Sequence, residues 1–301
     1  MKLTNLHNLP AALVTAASRF NSNYKREGHI SVTQLIDAPQ VRLLSQRHWD
    51  DIEEDITDRI WALFGSAVHE ILHQGRDANT LTEERLSMPV NGWTVSGQSD
   101  LYESDGVLSD WKVPSVWSIV YGKIDWVRQL NVYRAILAAH GFDAARLQVV
   151  AILRDWQQRK AAEQADYPQR PVVVVPIELW PLEQTHEYMI ERVALHQAAE
   201  AGQVPPCSAD ERWEKPTAYA VMKNANVRAA RVLDSAEAAQ AWIAQQAPSS
   251  GTKWRVDVRP GESTRCASYC RVSQWCPTWA AIQQGGEQAI GQASGADAGR
   301  H

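Results

Sequence analysis

The 301-residue chain carries 30 Lys and Arg against 35 Asp and Glu, a formal net charge of −5. With 45% apolar residues it can bury the core of one large domain, or of a domain with an appendage, which excludes wholesale disorder. The acidic balance excludes a general nucleic-acid coat, so any nucleic-acid site has to be a local basic patch. No apolar run approaches the ~20 residues of a membrane span.

Residues 9–17 are apolar but short and preceded only by Lys2, which reads as a helix over 10–22 and not as a signal peptide. A short strand or turn at 30–33 follows, with Thr33 as a cap, then a helix over 40–47. The acidic run 50–58 reads as a solvated helix start, where carboxylates favour the positive end of the dipole. It feeds a helix over 59–74 whose apolar face is Ile60, Leu63, Val68, Ile71 and Leu72. Residues 81–90, 93–102 and 107–113 alternate and read as three strands in an antiparallel meander. A helix over 121–141 ends at a glycine cap. A strand at 147–154, a polar loop at 157–169, an apolar strand at 172–179 and a helix over 181–202 complete this region. After Pro205-Pro206 the composition shifts to a small module: strands at 218–222, 228–233 and 253–258, a helix from Ser235 to 246, and a linker at 248–251. The Gly-, Ala- and Gln-rich tail from 285 reads as disordered.

The chemistry concentrates around the meander. Asp100 ends its second strand, Asp110 arrives on the third, and Lys112 follows two residues later on the same face. Two carboxylates from paired strands can hold one hard cation, and an ammonium group beside it can orient or deprotonate an attacking water. That combination suits phosphodiester hydrolysis. His69 lies one turn beyond Gly65 on the preceding helix, and an imidazole ligand shifts preference from Mg²⁺ toward Mn²⁺. Gln129 and Tyr133, four apart, share one face of the following helix. Gly65 leaves room for a close approach. Thirteen Trp against three Phe is an unusual balance; most read as core fillers, and one beside the site can stack on bases.

Taken together, Gly65-x3-His69-x2-Leu72, Gly97-x2-Asp100, Asp110-x-Lys112 and Gln129-x3-Tyr133 resemble the RecB-like branch of the PD-(D/E)XK nuclease superfamily. The resemblance covers residues ~60–135. It implies an α/β restriction-endonuclease-like core, αβββαβ, with a central mixed sheet flanked by helices. It implies that His69, Asp100, Asp110 and the main-chain carbonyl of Trp111 hold Mg²⁺ or Mn²⁺, and that Lys112 is the catalytic lysine. Gln129 and Tyr133 would position DNA or Lys112. The implied activity is a metal-dependent deoxyribonuclease, preferably an exonuclease acting on single strands or duplex ends. The implied setting is the cytoplasm of a bacterial or phage-infected cell. No G-x-x-x-x-G-K-[ST] motif is present, so an unwinding or recombination partner would be a separate chain.

Cys266, Cys270 and Cys276 fall within one short segment, and Cys207 lies upstream after the two prolines. Thiolates suit Zn²⁺ or an iron–sulfur cluster. Similar nucleases carry a [4Fe–4S] cluster on one separated Cys and three near the C-terminus, and the four cysteines here resemble that plan. They depart from it in the Cys-x3-Cys spacing and in placing Cys207 after the nuclease core. The implied organisation is a nuclease core over 1–203, a small α+β module with a Cys-bound metal segment over 204–284, and a tail over 285–301. Lys253, Arg255, Arg259, Arg265 and Arg271 around the cysteines read either as a backbone-tracking patch, with Trp254, Tyr269 or Trp275 for stacking, or as an ordinary mixed surface.

Two other classes fit parts of the sequence. His69-Glu70-x-x-His73 matches the H-E-x-x-H of zinc metallopeptidases, with Glu70 as general base; the longer pattern fails because Gly75 follows His73 by two residues and not three. A non-catalytic nucleic-acid-binding subunit with the same fold would not need the complete Asp100, Asp110 and Lys112 set.

Overall fold

The computed structural model describes residues 1–19, 26–75, 80–82, 84–246 and 251–284. The expected tail at 285–301, most of the expected linker at 248–251 and the end of the expected helix over 10–22 lie outside them. The chain divides into two units, Met1–Pro205 and Pro206 onward.

The first unit runs β1 (Lys2–Thr4), α1 (Ala11–Ser18), β2 (His29–Ser31), α2 (Val32–Ile36), α3 (Pro39–Arg47), β3 (Glu53–Asp55), α4 (Ile60–His73), β4 (Thr80–Leu81), β5 (Arg85–Val90), β6 (Trp93–Gln98), β7 (Leu101–Glu103) and β8 (Val107–Lys112). It continues with α5 (Trp117–Tyr121), α6 (Ile124–Ala139), β9 (Arg146–Ile152), α7 (Gln158–Glu163), β10 (Val172–Ile177) and α8 (Leu182–Glu200). This is a mixed α/β arrangement. A five-stranded sheet has the order β10-β9-β8-β7-β4, and a three-stranded sheet has the order β2-β6-β5. Strands β8 and β9 are parallel, joined through α5 and α6, while β7–β8 and β9–β10 are antiparallel.

The expected meander is therefore interrupted. Its second strand breaks at Ser99–Asp100: β6 pairs with β5 in the smaller sheet, and β7 pairs with β8 in the larger one. Asp100 sits at the seam. The core lies between the large sheet and α6, with Leu108, Leu147, Val149 and Ala151 packed among Leu130, Ile136 and Leu137 and with Met189 and Val193 of α8. Alternation in β9 explains its register, since Leu147, Val149 and Ala151 are buried while their neighbours are less so. β8 is central, and Val107 through Asp110 are all buried.

Several local expectations change. The expected helix over 121–141 is two helices, because Gly122 takes φ 70° between α5 and α6. Ser31, not Thr33, caps α2: its hydroxyl accepts from the Gln34 amide while the Gln34 side chain accepts from the Ser31 amide. The acidic run starts a helix only at its end. Its centre is β3, paired in parallel with β1, and Asp55 then caps the 3-10 turn Ile56–Arg59 that leads into α4, accepting from the Leu6 and Thr57 amides. Those hydrogen bonds hold the Asp55 carboxyl far below its ordinary range. Helix α4 buries none of its residues, and Ile71, expected on its apolar face, is 67% exposed. The polar loop at 157–169 contains α7.

The second unit holds β11 (Glu214–Lys215), β12 (Ala218–Lys223), β13 (Arg231–Leu233), α9 (Ala236–Ala244), β14 (Trp254–Arg259), β15 (Glu262–Ser263) and α10 (Thr264–Ser268). The order β13-β12-β14 makes an antiparallel sheet covered by α9, whose Ser235 cap accepts from the Ala238 amide. Among the described residues no helix is long and apolar enough to cross a membrane.

Candidate active site

The seam between the two sheets gathers the meander residues. Asp100 Oδ1 lies 3.2 Å from His69 Nδ1, and Asp100 Oδ2 accepts from the Trp111 amide at 2.7 Å. Lys112 Nζ lies 2.6 Å from Asp110 Oδ2. Lys112 is thus the close partner of the buried Asp110 Oδ2. Asp110 is 3% exposed, and burial pushes its carboxyl up to about 6 against the pull of Lys112. His69 is shifted upward, first through its hydrogen bond with Asp100 and against its own desolvation. Both carboxylates act on His69 and on Tyr133, which places the whole group within electrostatic reach.

Gln129 and Tyr133 lie beneath this group and not on its surface. Both are buried, and Gln129 Nε2 donates to Tyr133 Oη at 3.1 Å. Burial moves the Tyr133 phenol upward, so it stays neutral. A Cβ on Gly97 would come within 2.5 Å of Tyr133 Cε1 and 2.9 Å of Val32 Cγ2. Glycine is thus what lets the Tyr133 ring lie against β6 just before the seam. Gly65 has a different role: a Cβ there would meet nothing within 4 Å, so the space above it is open.

A cleft of about 270 Å³ opens beside the group, lined by His69, His73, Thr80, Thr82, Asp100 and Glu103 among others. Thr80, Thr82 and Glu103 carried no motif; their only sequence signal is their place at the ends of strands leading to Asp100. His73 shares the cleft with His69, but Glu70, the general base of the peptidase reading, is exposed and outside its lining.

In donor chemistry, two carboxylates, an imidazole and a main-chain carbonyl suit a hard divalent cation. As placed, the donors are engaged in pairs, Asp100 with His69 and Asp110 with Lys112. Among the described residues no three His, Cys, Asp or Glu side chains are already arranged as a cation-holding group.

In the second unit the four cysteines are thiols, not disulfides. Cys207, Cys266 and Cys276 are buried, and Cys270 is half-buried. Burial pushes the Cys207 thiol up to about 12, with Glu211, Cys276 and Cys266 adding to it; Cys266 moves in the same direction through burial, Cys270 and Cys276. Cys266 therefore sits within electrostatic reach of the other three. The strap bearing Cys207 is stitched to the later segment: Arg212 donates to the Cys207 carbonyl, the Arg265 amide donates to the Arg212 carbonyl, and β11 pairs with β15. Much of the expected basic patch is spent internally, since Arg255 pairs with Asp257 and Arg265 donates to the Glu211 carbonyl.

No family model matches the chain. No curated protein is detectably similar in sequence. A solved structure described as that of SSO0001 is similar over 62% of this chain and 85% of its own, with 18% identity and a TM-score of 0.44, a likeness too slight to carry an argument.

Proposed function

We propose that the first unit is a metal-dependent nuclease of the RecB-like PD-(D/E)XK type, hydrolysing DNA phosphodiesters from ends or along single strands. The observation that carries this reading is the Asp110 carboxylate: buried, ion-paired to Lys112, and within electrostatic reach of the Asp100–His69 pair. A buried acid of that kind costs folding free energy, and such costs cluster at functional sites. The order α4, β4 to β8, α5 and α6, β9, with β8 and β9 parallel, supports a restriction-endonuclease-like core whose strands divide between two sheets.

His69, Asp100, Asp110 and the Trp111 carbonyl would hold Mg²⁺ or Mn²⁺, which when bound lowers the pKa of water and draws charge from the phosphoryl oxygens. Lys112 Nζ reaches out from Asp110 with its side chain 27% exposed, so it can orient the attacking water and stabilise charge on the phosphate. The Trp111 amide fixes Asp100, and Tyr133 with Gln129 forms the floor under both acids. The cleft, below the ~300–1,000 Å³ of drug-sized pockets, suits one small unit at a chain end. In the second unit, Cys207, Cys266, Cys270 and Cys276 would hold an iron–sulfur cluster, with Zn²⁺ as the other fit, stapling the strap to the C-terminal segment.

The test is hydrolysis of labelled single- and double-stranded DNA in Mn²⁺, Mg²⁺ or EDTA, with wild type and Lys112→Ala side by side. Cleavage that needs the metal and is lost in the variant is the expected result. Cleavage that survives both EDTA and the substitution ends the mechanism.

A further inference from the structure

Helix α4 carries an exposed aromatic pair that the fold does not use. Trp61 is 56% exposed and Phe64 43% exposed, with ring centroids 6.5 Å apart in an edge arrangement. The Arg154 guanidinium lies 4.5 Å from the Trp61 ring centroid, and Arg154 is itself exposed. Large aromatics left in water contribute little to folding, and a pair grouped with a cation marks a surface that binds something.

This group runs into the proposed site from two sides. Along α4, Trp61, Gly65 and His69 form a stripe spaced by four residues, covering roughly 12 Å at 1.5 Å per residue. Among the described residues nothing lies within 4 Å of where a Gly65 Cβ would stand, so the helix surface is open at that point between Trp61 and His69. On the other side, the Arg154 amide donates to the Pro114 carbonyl at 3.1 Å, and Pro114 follows Lys112 by two residues. The Val116 amide donates to Asp155, which fixes that connection.

We infer that Trp61, Phe64 and Arg154 form a stacking rail that holds the bases of a single-stranded nucleic acid and leads its backbone to His69 and Lys112. Each base has a π-face, so aromatic rings grip a strand without reading sequence, and an arginine adds charge toward phosphate and a flat face toward bases. A protein partner would have no need of a lane that ends at the reaction centre. A duplex keeps its bases stacked on one another and cannot use the rings. The inference rests on the proposed nuclease reading and narrows its substrate to unpaired strands.

The experiment measures fluorescence anisotropy of a labelled oligothymidylate with the full chain in Ca²⁺, for wild type, Trp61→Ala, Phe64→Ala, Arg154→Ala and Trp61→Phe. In parallel, Mn²⁺-dependent hydrolysis of bis(p-nitrophenyl) phosphate, which has no strand to stack, is followed. Each alanine variant at an aromatic position is expected to weaken oligothymidylate binding on the order of tenfold, within the roughly 5–150-fold that one lost base stack allows. Trp61→Phe restores most of it, and Arg154→Ala lowers the salt dependence as well as the affinity. The ratio of oligonucleotide to small-ester hydrolysis falls with the affinity. Thermal melts matching wild type exclude a folding defect, as the exposure of all three side chains leads one to expect. Alanine variants that bind the oligonucleotide as wild type does overturn the rail, as does a wild type that cleaves the small ester yet does not bind single strands. Loss of all hydrolysis in wild type, with the binding differences intact, instead overturns the nuclease reading and leaves the rail standing.

Discussion

Replacing Asp110 by Asn should make the metal-free protein more stable while abolishing hydrolysis. The carboxyl is 3% exposed and displaced from its ordinary 3.8 to about 6, chiefly by burial. At about 1.4 kcal/mol per pH unit, ionising it inside the fold costs about 3 kcal/mol relative to the unfolded chain. The sign follows from the direction of displacement. Between pH 3.8 and about 6 the folded state binds more protons than the unfolded one, so stability falls as pH rises through that window and the full cost is present above it. Asn removes the cost and can still accept from Lys112. Urea or thermal unfolding in EDTA at pH 7.5 should therefore show the variant more stable by about 3 kcal/mol, roughly 6–12 °C for a unit of this size. At pH 4.5 the advantage should shrink to about 1 kcal/mol. Mn²⁺ should raise the wild-type midpoint and leave the variant's where it was, since binding stabilises by mass action, about 2.7 kcal/mol at a hundredfold excess over Kd. A variant no more stable than wild type at pH 7.5, or an advantage that does not shrink in acid, would refute the account of Asp110 as a buried acid that Lys112 compensates only in part.

Further outcomes follow from the same geometry. His196 is fully buried, its Nε2 donates to the Leu35 carbonyl, and burial with Arg42 and Arg192 nearby lowers it to about 3. Its folded value is depressed, so its contribution is intact above pH 6.5 and is lost as pH falls, about 2 kcal/mol by pH 5; His196→Gln should flatten that acid limb in urea melts, separating it from the opposite slope of Asp110. Gly97→Ala should cost roughly 1–3 kcal/mol by pushing on Tyr133 and Val32, with a matching fall in hydrolysis rate; an alanine variant of wild-type stability and rate would show that the ring moves freely. Anaerobically prepared protein should carry iron and broad visible absorbance, or else one equivalent of zinc, and Cys207→Ser should lose it; wild type containing neither metal rules out the cysteine site.

How much was legible depends on whether a feature is local. Helix α8 and strand β9 stand in the sequence because one face of each meets the core. The Ser31-x-x-Gln34 capping box was also legible, and Thr33 competed with it only by being another hydroxyl nearby. The break at Ser99–Asp100 was not legible: alternation continues through it, and only pairing with distant strands decides that β6 and β7 join different sheets. For the same reason the Trp111 amide on Asp100 had no sequence signal, being a main-chain donor. Helix α4 misled at one position: Ile71 stands in solvent, while Ile60, Leu63, Val68 and Leu72 of the expected apolar face are half-buried. The candidate acids, lysine and histidine were legible as residue types at fixed spacing. Their pairing, His69 with Asp100 and Lys112 with Asp110, emerges only in three dimensions.

The hydrogen bond from Trp111 to Asp100 has a wider consequence. It ties an acid from one strand to the backbone of the strand that supplies the other acid and the lysine, so the spacing of the trio is set inside a single short stretch of chain. The turn of the β5–β6 hairpin, at the end away from Asp100, can then change while Gly97 at the other end of β6 keeps its place against Tyr133. Evolution or a protein engineer is free to remodel that turn while the group of His69, Asp100, Asp110 and Lys112 keeps its dimensions.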